Sequence, residues 1–228
     1  MNVGRLGGTG GERTWVKICG LTRPEDAEHA ARSGADALGI VFAASPRQLD
    51  VGRASEILGA VPASITRVGV FADQPLEFVE EVARVCHLDW IQLSGNEPAE
   101  LAATLSMSVI KAVHVRDVND LEAARSYPAQ ALLLDAPVMD GRMGGTGSSF
   151  DWSQAERLPW PRHKVIVAGG LNPRNVGAAI ERLRPGGVDV STGVESSPGI
   201  KDRSKIDAFV AAVREVDARL RAASGRAG

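Results

Sequence analysis

The stretch KVIVAGGLNP, residues 164–173, decides the fold because it has the pattern of one complete strand–loop–helix unit. A β-rich apolar run comes first, two glycines interrupt it, and the Asn–Pro pair that follows is typical of a helix start. We expect a strand at 164–168 and a helix from Pro173, with Asn172 as its N-cap. The loop between them then lies at the carboxyl end of the strand.

The same alternation recurs along the chain. Eight β-rich runs are each followed by apolar residues at helical spacing, so each unit has roughly 25 residues. Many of the runs are apolar nearly throughout, as in parallel strands buried on both faces. The predicted strands are 15–19, 37–42, 66–71, 90–93, 109–115, 131–135, 164–168 and 188–191. The predicted helices begin near Pro24, Val51, Pro75, Glu97, Val118, Asp151, Pro173 and Ser204.

Eight units of near-equal size predict an α/β fold, a single (β/α)8 TIM barrel. An open doubly wound sheet is the alternative, because the pattern alone does not prove closure. No Pro- or Gly-rich linker divides the chain, so we expect one catalytic domain over residues 14–222. The Gly-rich segment 1–13 and residues 223–228 are expected to be disordered tails.

Composition excludes several classes of function. The 228 residues carry a net charge of −2 and no long run of like charge, so neither a nucleic-acid surface nor a membrane surface is expected. No apolar run reaches the ~18 residues that span a bilayer, and the amino-terminal segment does not look like a signal peptide. The two cysteines are predicted to be free thiols of a cytoplasmic protein.

Function in such barrels lies at the carboxyl ends of the strands. Cys19 ends the first strand and Asp135 ends the sixth, after three leucines. A buried structural thiol and a buried, satisfied carboxylate are the alternative interpretations. Lys17 and Lys111 are candidate charges of the barrel interior, and Lys17 shares the parity of Cys19.

The loops after strands 7 and 8 predict a phosphate site. Both are small and polar, and backbone N–H groups of such loops can face an anion. Ordinary turns are the alternative. A further Gly-rich segment, GRMGGTGSSFDW at 141–152, is long enough to close over a ligand. The predicted phosphate-loop residues are Gly169, Gly170, Ser191, Thr192 and Gly193.

The remaining candidates carry less weight. The four histidines have no metal-ligand spacing, so no metal is expected. His114 ends the fifth strand as a possible base, on a face that the pattern leaves open. Cys86 falls at helical spacing with apolar residues and is predicted to be core.

These residues closely resemble the phosphoribosylanthranilate isomerase family of tryptophan biosynthesis. The resemblance covers residues 15–215 and is highly specific in its combination of motifs. The motifs are VKICGLT (16–22), GADALGIVF (34–42), SPR (45–47), RVGVFAD (67–73), IQLSGNE (91–97), IKAV (110–113), LLLDA (132–136), GGTGSSFDW (144–152), AGGLNPRNV (168–176) and VDVSTGVESSPGIKD (188–202).

The resemblance implies an Amadori rearrangement of N-(5′-phosphoribosyl)anthranilate to 1-(2-carboxyphenylamino)-1-deoxyribulose 5-phosphate. It assigns the general base to Cys19 and the general acid to Asp135. It also implies that Arg47 pairs with the anthranilate carboxylate and that Asp189 lies near the substrate. No cofactor is implied, because the protonated imine is itself the electron sink. The expected partner is the small phosphoribosyl substrate, and the chain is expected to be a monomer or a homodimer.

Two features depart from the family pattern. Ser94 stands in QLSG where the family usually has QLHG, and the loop before Arg47 is about one residue shorter than the common form.

Two other functions stay open. The related histidine-pathway isomerases use a pair of aspartates, one of them at the end of strand 1, where this chain has Cys19. A non-catalytic phosphate-binding barrel would not need paired proton-transfer groups.

Overall fold

The computed structural model describes residues 13–136, 152–155 and 160–225. Eight parallel strands close into a barrel in the order of the chain, which confirms the predicted TIM barrel and excludes the open sheet. The strands are β1 Trp15–Cys19, β2 Ala37–Val41, β3 Thr66–Phe71, β4 Trp90–Leu93, β5 Ser108–His114, β6 Ala131–Asp135, β7 Val165–Val167 and β8 Gly187–Val190.

Helices follow the strands and cover the outside of the barrel. Their apolar faces pack on the outward side chains of the strands, and Cys86 is buried in this layer, as predicted. The helices are α1 Pro24–Arg32, α2 Val51–Gly59, α3 Leu76–Val85, α4 Ala99–Thr104, α5 Val118–Ala123, α6 Trp152–Ala155, α7 Val176–Leu183 and α8 Arg203–Ser224.

A second apolar cluster fills the lower half of the barrel. Because side chains alternate across each strand, every second residue points toward the barrel axis. The cluster leaves only the upper end of the barrel for a ligand. Its members are Trp15, Ala37, Val68, Trp90, Ile110, Ala112, Ala131, Leu133, Ile166 and Ala168.

The barrel closes where β1 pairs with β8, with Lys17 opposite Asp189. Below this pair the last helix is fastened to the first strand. The backbone N–H of Thr14 donates to the Asp217 carboxylate at 3.1 Å. Arg214 donates to the Thr14 carbonyl at 2.6 Å and to Asp36 at 3.0 Å. Buried hydrogen bonds to charged groups are among the stronger ones in proteins, so this contact holds the seam closed.

The helix predicted from Pro173 begins three residues later, at Val176. Asn172 is not its N-cap. Its side chain accepts from the backbone N–H of Arg174 at 2.9 Å, and its own N–H donates to the Asn175 side chain at 2.8 Å. Local side-chain bonds of this kind compete with helix formation, so residues 173–175 form a turn.

The loop after β8 contains a hairpin that the sequence did not predict. Its strands, β9 Glu195–Ser197 and β10 Ile200–Lys201, pair in antiparallel fashion. Gly199 makes the turn possible with a φ of 81°, a value that favours glycine. The hairpin brings Glu195 and Lys201 over the barrel mouth.

The described chain extends slightly past the expected domain limits of 14 and 222. Arg13 forms an ion pair with Asp36 at 2.9 Å, and α8 continues to Ser224 because Ala222 and Ala223 favour helix. The expected tail residues 223 and 224 are therefore helical. Residues 1–12 and 226–228 lie outside the described residues, so disorder there stays a prediction. Over the described ranges, no helix combines the length and the hydropathy that crossing a membrane requires.

Candidate active site

The upper end of the barrel holds a cavity of about 120 Å³. Its walls come from the carboxyl ends of seven of the eight barrel strands or the loops that follow them, so it brings together residues that are far apart in the chain. Cys19, Arg47, Asp135, Asp189 and Ser191, all predicted site residues, line this one cavity. The other lining residues are Val41, Ala43, Ser45, Val70, Gln92, Ser94, Ala112, His114 and Leu133.

Cys19 is the last residue of β1 and is 7% exposed. It lies above Gly39 of β2, where a Cβ would come within 2.8 Å of the Cys19 Sγ and 3.1 Å of the Lys17 Cε. Burial raises the pKa of the Cys19 thiol, and the Lys17 ammonium acts in the opposite direction. Cys19 is therefore a buried thiol with a cation beside it.

Lys17 is completely buried below Cys19, and its Nζ donates to Asp189 at 2.9 Å. Burial lowers the pKa of Lys17, but the charges of Asp189 and Cys19 raise it by more, so the net direction is upward. Lys17 is therefore an interior charge, as predicted. Lys111 is not, because it points outward and bonds Glu97 at 2.7 Å.

Asp135 ends β6 on the other side of the cavity. Its Oδ1 accepts from the backbone N–H of Ala136 at 2.8 Å. Burial raises the pKa of the Asp135 carboxyl, and the positive form of His114, its neighbour in the β5–β6 register, acts in the opposite direction. A raised pKa favours the protonated carboxyl, the form that can act as an acid.

A smaller cavity of about 60 Å³ adjoins the first. Gly169 and Gly170 have φ values of 72° and 65°, which only glycine adopts readily. A Cβ at Gly193 would overlap the carbonyl oxygen of Leu171. The two loops therefore need glycine both for conformation and for space. The cavity is lined by Asp135, Ala168, Gly169, Gly170, Leu171, Asp189, Val190, Ser191, Thr192 and Gly193.

Arg47 extends from the loop after β2 across the mouth to the β9–β10 hairpin. Its Nε donates to Glu195 at 2.7 Å and its Nη2 donates to the same carboxylate at 2.6 Å. Nη2 also contacts the Thr192 hydroxyl at 3.2 Å. One edge of the guanidinium is thus occupied by the protein. The Glu195 hydrogen bonds raise the pKa of Arg47.

Glu195 and Lys201 are site residues that sequence reasoning missed. Lys201 Nζ donates to Glu195 at 2.9 Å and to the Ser191 carbonyl at 3.2 Å. Burial lowers the pKa of Lys201. Glu195 thus joins the loop after β2 to the loop after β8. The Pro198–Gly199 turn was the one signal in the sequence that could have revealed the hairpin.

Gln92, Ser94 and His114 form what we call the β4–β5 polar face of the cavity. Gln92 Nε2 donates to Ser94 Oγ at 3.1 Å. The sequence left the orientation of His114 open, and the structure directs it inward. This chain therefore has an imidazole at the mouth on β5 and a serine hydroxyl, that of Ser94, directly after β4.

Two further predictions concern the closing segment and a metal site. Residues 137–151, which include most of the predicted closing segment 141–152, are outside the described residues. Over the described part of the chain, no three His, Cys, Asp or Glu side chains are arranged to hold a metal ion.

Comparison with known proteins identifies the family of this chain. The family model described as PRAI, N-(5'phosphoribosyl)anthranilate (PRA) isomerase, matches residues 16–212. The N-(5'-phosphoribosyl)anthranilate isomerase of Desulforamulus reducens is 46% identical over 201 residues, which cover 88% of this chain and 95% of that protein.

Solved structures agree as well. The crystal structure of phosphoribosyl anthranilate isomerase from Thermotoga maritima has a TM-score of 0.82 and 40% identity, covering 89% of this chain and 99% of that one. Another, in complex with reduced 1-(o-carboxyphenylamino)-1-deoxyribulose 5-phosphate, has a TM-score of 0.77 and 38% identity, with coverage of 89% and 99%. The chain therefore belongs to the N-(5'-phosphoribosyl)anthranilate isomerase family.

Proposed function

We propose that this chain catalyses the Amadori rearrangement of N-(5′-phosphoribosyl)anthranilate, with Cys19 as general base and Asp135 as general acid. One observation carries the proposal: the two groups line one cavity from strands three positions apart in the ring, and a glycine-lined cavity adjoins it. A sugar phosphate between them would meet a proton donor on one side and a proton acceptor on the other. The family to which the chain belongs supports the same reaction.

The first step opens the sugar ring. The Asp135 carboxyl, whose pKa is raised by burial, gives its proton to the furanose ring oxygen. The bond between C1′ and that oxygen breaks, and the electron pair of the amine nitrogen forms a C1′=N iminium. General acid catalysis is needed because an alkoxide is a poor leaving group.

The second step moves a proton from carbon. The Cys19 thiolate removes the proton from C2′, and the C–H electrons flow toward the positively charged nitrogen to give an enolamine. Tautomerisation of the enolamine then yields the ketone. Lys17 supports this step, because its ammonium beside the thiol stabilises the thiolate relative to the thiol. The proposed reaction requires no cofactor, since the iminium accepts the electrons.

The proposal is tested directly with purified protein. The loss of the substrate's fluorescence measures the consumption of phosphoribosylanthranilate. Turnover that depends on Cys19 and Asp135 is expected. A protein that binds the substrate without converting it would instead be a binding barrel. A protein that turns over only a histidine-pathway substrate would belong to the related isomerases.

The glycine-lined loops are proposed to bind the 5′-phosphate through their backbone N–H groups. Inorganic phosphate is then expected to compete with the substrate. Gly193→Ala should raise both KM and the Ki for phosphate by ~10-fold or more, because hydrogen bonds to a charged group contribute about 1.5–3 kcal/mol each and the added methyl displaces the loop. Steady-state kinetics with increasing phosphate measures both constants.

Gly59→Ala is the matched control, because a Cβ at Gly59 on α2 would meet nothing within 4 Å. Its KM and Ki should stay at the wild-type values. Noncompetitive inhibition by phosphate, or an unchanged Ki in Gly193→Ala, would contradict the assignment.

Arg47 is proposed to bind the anthranilate carboxylate. Because Glu195 holds Nε and Nη2 and the Thr192 hydroxyl also contacts Nη2, Nη1 is the guanidinium nitrogen available to a ligand. Arg47→Ala should lower kcat/KM, with a loss of transition-state stabilisation on the order of 2–4 kcal/mol. The substitution removes charge-assisted hydrogen bonds in a partly desolvated mouth. Arg47→Lys should recover only part, because an ammonium lacks the planar fork.

The measurement is kcat/KM for the three proteins at one pH. Arg53→Ala is the control, because Arg53 lies on the outer helix α2 and pairs with Glu56. It should change kcat/KM by less than about twofold. A change below threefold in Arg47→Ala would remove Arg47 from the site.

A further inference from the structure

One buried acceptor in the cavity wall has no role in the mechanism above. Gln92 is only 5% exposed. Its Oε1 atom is buried and has no hydrogen-bond partner among the described residues. Its Nε2 is engaged with Ser94 Oγ at 3.1 Å. Buried carbonyl oxygens are nearly always hydrogen-bonded, and one left unpaired needs an explanation.

Gln92 lines the same cavity as Cys19 and Asp135. It pairs in register with Val70 of β3. Val70, Val41 and Ala43 pack with Cys19 and make the apolar side of the cavity. The glycine-lined loops lie on the side of β7 and β8 instead. Gln92 is therefore beside the apolar wall and away from the cavity assigned to phosphate.

The chemistry of the substrate restricts which group can meet this oxygen. Phosphate and carboxylate groups only accept hydrogen bonds at neutral pH. The donors are the sugar hydroxyls and the N–H that joins the sugar to the aromatic ring. If the aromatic ring packs on the apolar wall, its N–H is the donor nearest Gln92, and the hydroxyls at C3′ and beyond extend toward the phosphate.

Resting on the proposed function, we propose that Gln92 Oε1 accepts a hydrogen bond from the arylamine N–H of the substrate. The bond is stronger in the iminium, where the nitrogen carries positive charge, because charge-assisted hydrogen bonds exceed neutral ones. Gln92 would then stabilise the reacting state more than the bound substrate. Such a contact raises kcat more than it lowers KM.

Gln92→Met and Gln92→Glu test this contact. Methionine keeps the approximate shape and removes the acceptor, so kcat should fall by at least ~10-fold while KM changes by less than about threefold. Glutamate keeps an acceptor, so its kcat should exceed that of the methionine variant. Gln130→Met, which removes an amide that bonds the Val109 N–H at the far end of β5, is the control and should keep the wild-type kcat.

Stability gives a second readout. Because Oε1 is unpaired without a ligand, Gln92→Met removes an unpaired buried acceptor and loses only the Nε2–Ser94 hydrogen bond, so its Tm should stay near the wild-type value. A clearly lowered Tm would mean that Oε1 has a structural partner and would overturn the proposal. Wild-type kcat in Gln92→Met would also overturn it, as would a glutamate variant less active than the methionine one, which would indicate that the amide donates to the substrate carboxylate.

The reduced 1-(o-carboxyphenylamino)-1-deoxyribulose 5-phosphate separates this proposal from the proposed function. It carries an uncharged amine N–H, so its Kd should weaken less in Gln92→Met than kcat falls. Equal losses in both would overturn the preference for the iminium. An inactive wild-type protein would instead contradict the proposed function itself.

Discussion

Cys19→Ser is expected to lower kcat by at least ~100-fold, the scale of a positioned acid or base. A serine hydroxyl is a far weaker acid than a thiol, and the same burial that raises the pKa of Cys19 would raise that of the hydroxyl further. Lys17 cannot offset this difference. Binding should change little, because the side chain keeps nearly the same size. Single-turnover and steady-state rates with purified protein separate the two effects.

The chain offers a matched control for this substitution. Cys86 is also buried and reduced, but it caps the carboxyl end of α3 in the outer layer, where its Sγ approaches the carbonyl of Val51 at the start of α2 at 3.7 Å. Cys86→Ser should lower Tm and leave kcat near the wild-type value. Near-normal turnover in Cys19→Ser, measured beside this control, would refute the assignment of the base.

Asp135→Asn should also lower kcat by at least ~100-fold, since the amide has no proton to give at neutral pH. Asp207→Asn is the control, because Asp207 is exposed on α8 and should leave kcat unchanged. Full activity in Asp135→Asn would exclude this carboxyl as the acid.

The pH dependence of kcat/KM gives a sharper test of the same pair. The proposed active form combines a protonated Asp135 with a Cys19 thiolate. Burial raises both pKa values. The fraction in the active form therefore rises with pH up to the lower of the two pKa values, stays level between them, and falls above the higher one.

Removing the acid should change the shape of this profile. In Asp135→Asn only Cys19 titrates, so the residual rate should rise with pH through the pKa of Cys19 and then stay level. Rates measured from mildly acidic to alkaline pH would show the change. An alkaline fall that persists in Asp135→Asn would mean that another group supplies the proton.

The barrel could be predicted because its strands carry a strong signal. Parallel strands covered on both faces are apolar throughout, so runs such as ALLLD at 131–135 stand out from the helices. The strand limits differ by one residue or so from those expected. The β9–β10 hairpin was not predicted because ESS and IK are short, polar and without alternation.

The site was predictable only in part. The rule that barrels act at strand ends was enough to select Cys19 and Asp135, because it needs only the order of the elements. The partners of Arg47 and Lys17 were not predictable, since Glu195 and Asp189 lie 148 and 172 residues away. The direction of the Lys111 side chain was not predictable either, because Ile110 and Ala112 beside it are apolar and give no sign of which face of β5 is inside.

The seam between β1 and β8 has a consequence for how the protein is made. The contacts that close it join Lys17 to Asp189 and Thr14 to Asp217, across 172 and 203 residues. Contacts of such long range form late in folding, because closing so large a loop costs conformational entropy before the contact can stabilise the barrel. A nascent chain that has not yet released β8 has Cys19 and Asp135 but neither Asp189 nor the loop at 191–193. Catalytic activity should therefore appear only after synthesis has passed the eighth strand, so that its appearance indicates a complete barrel.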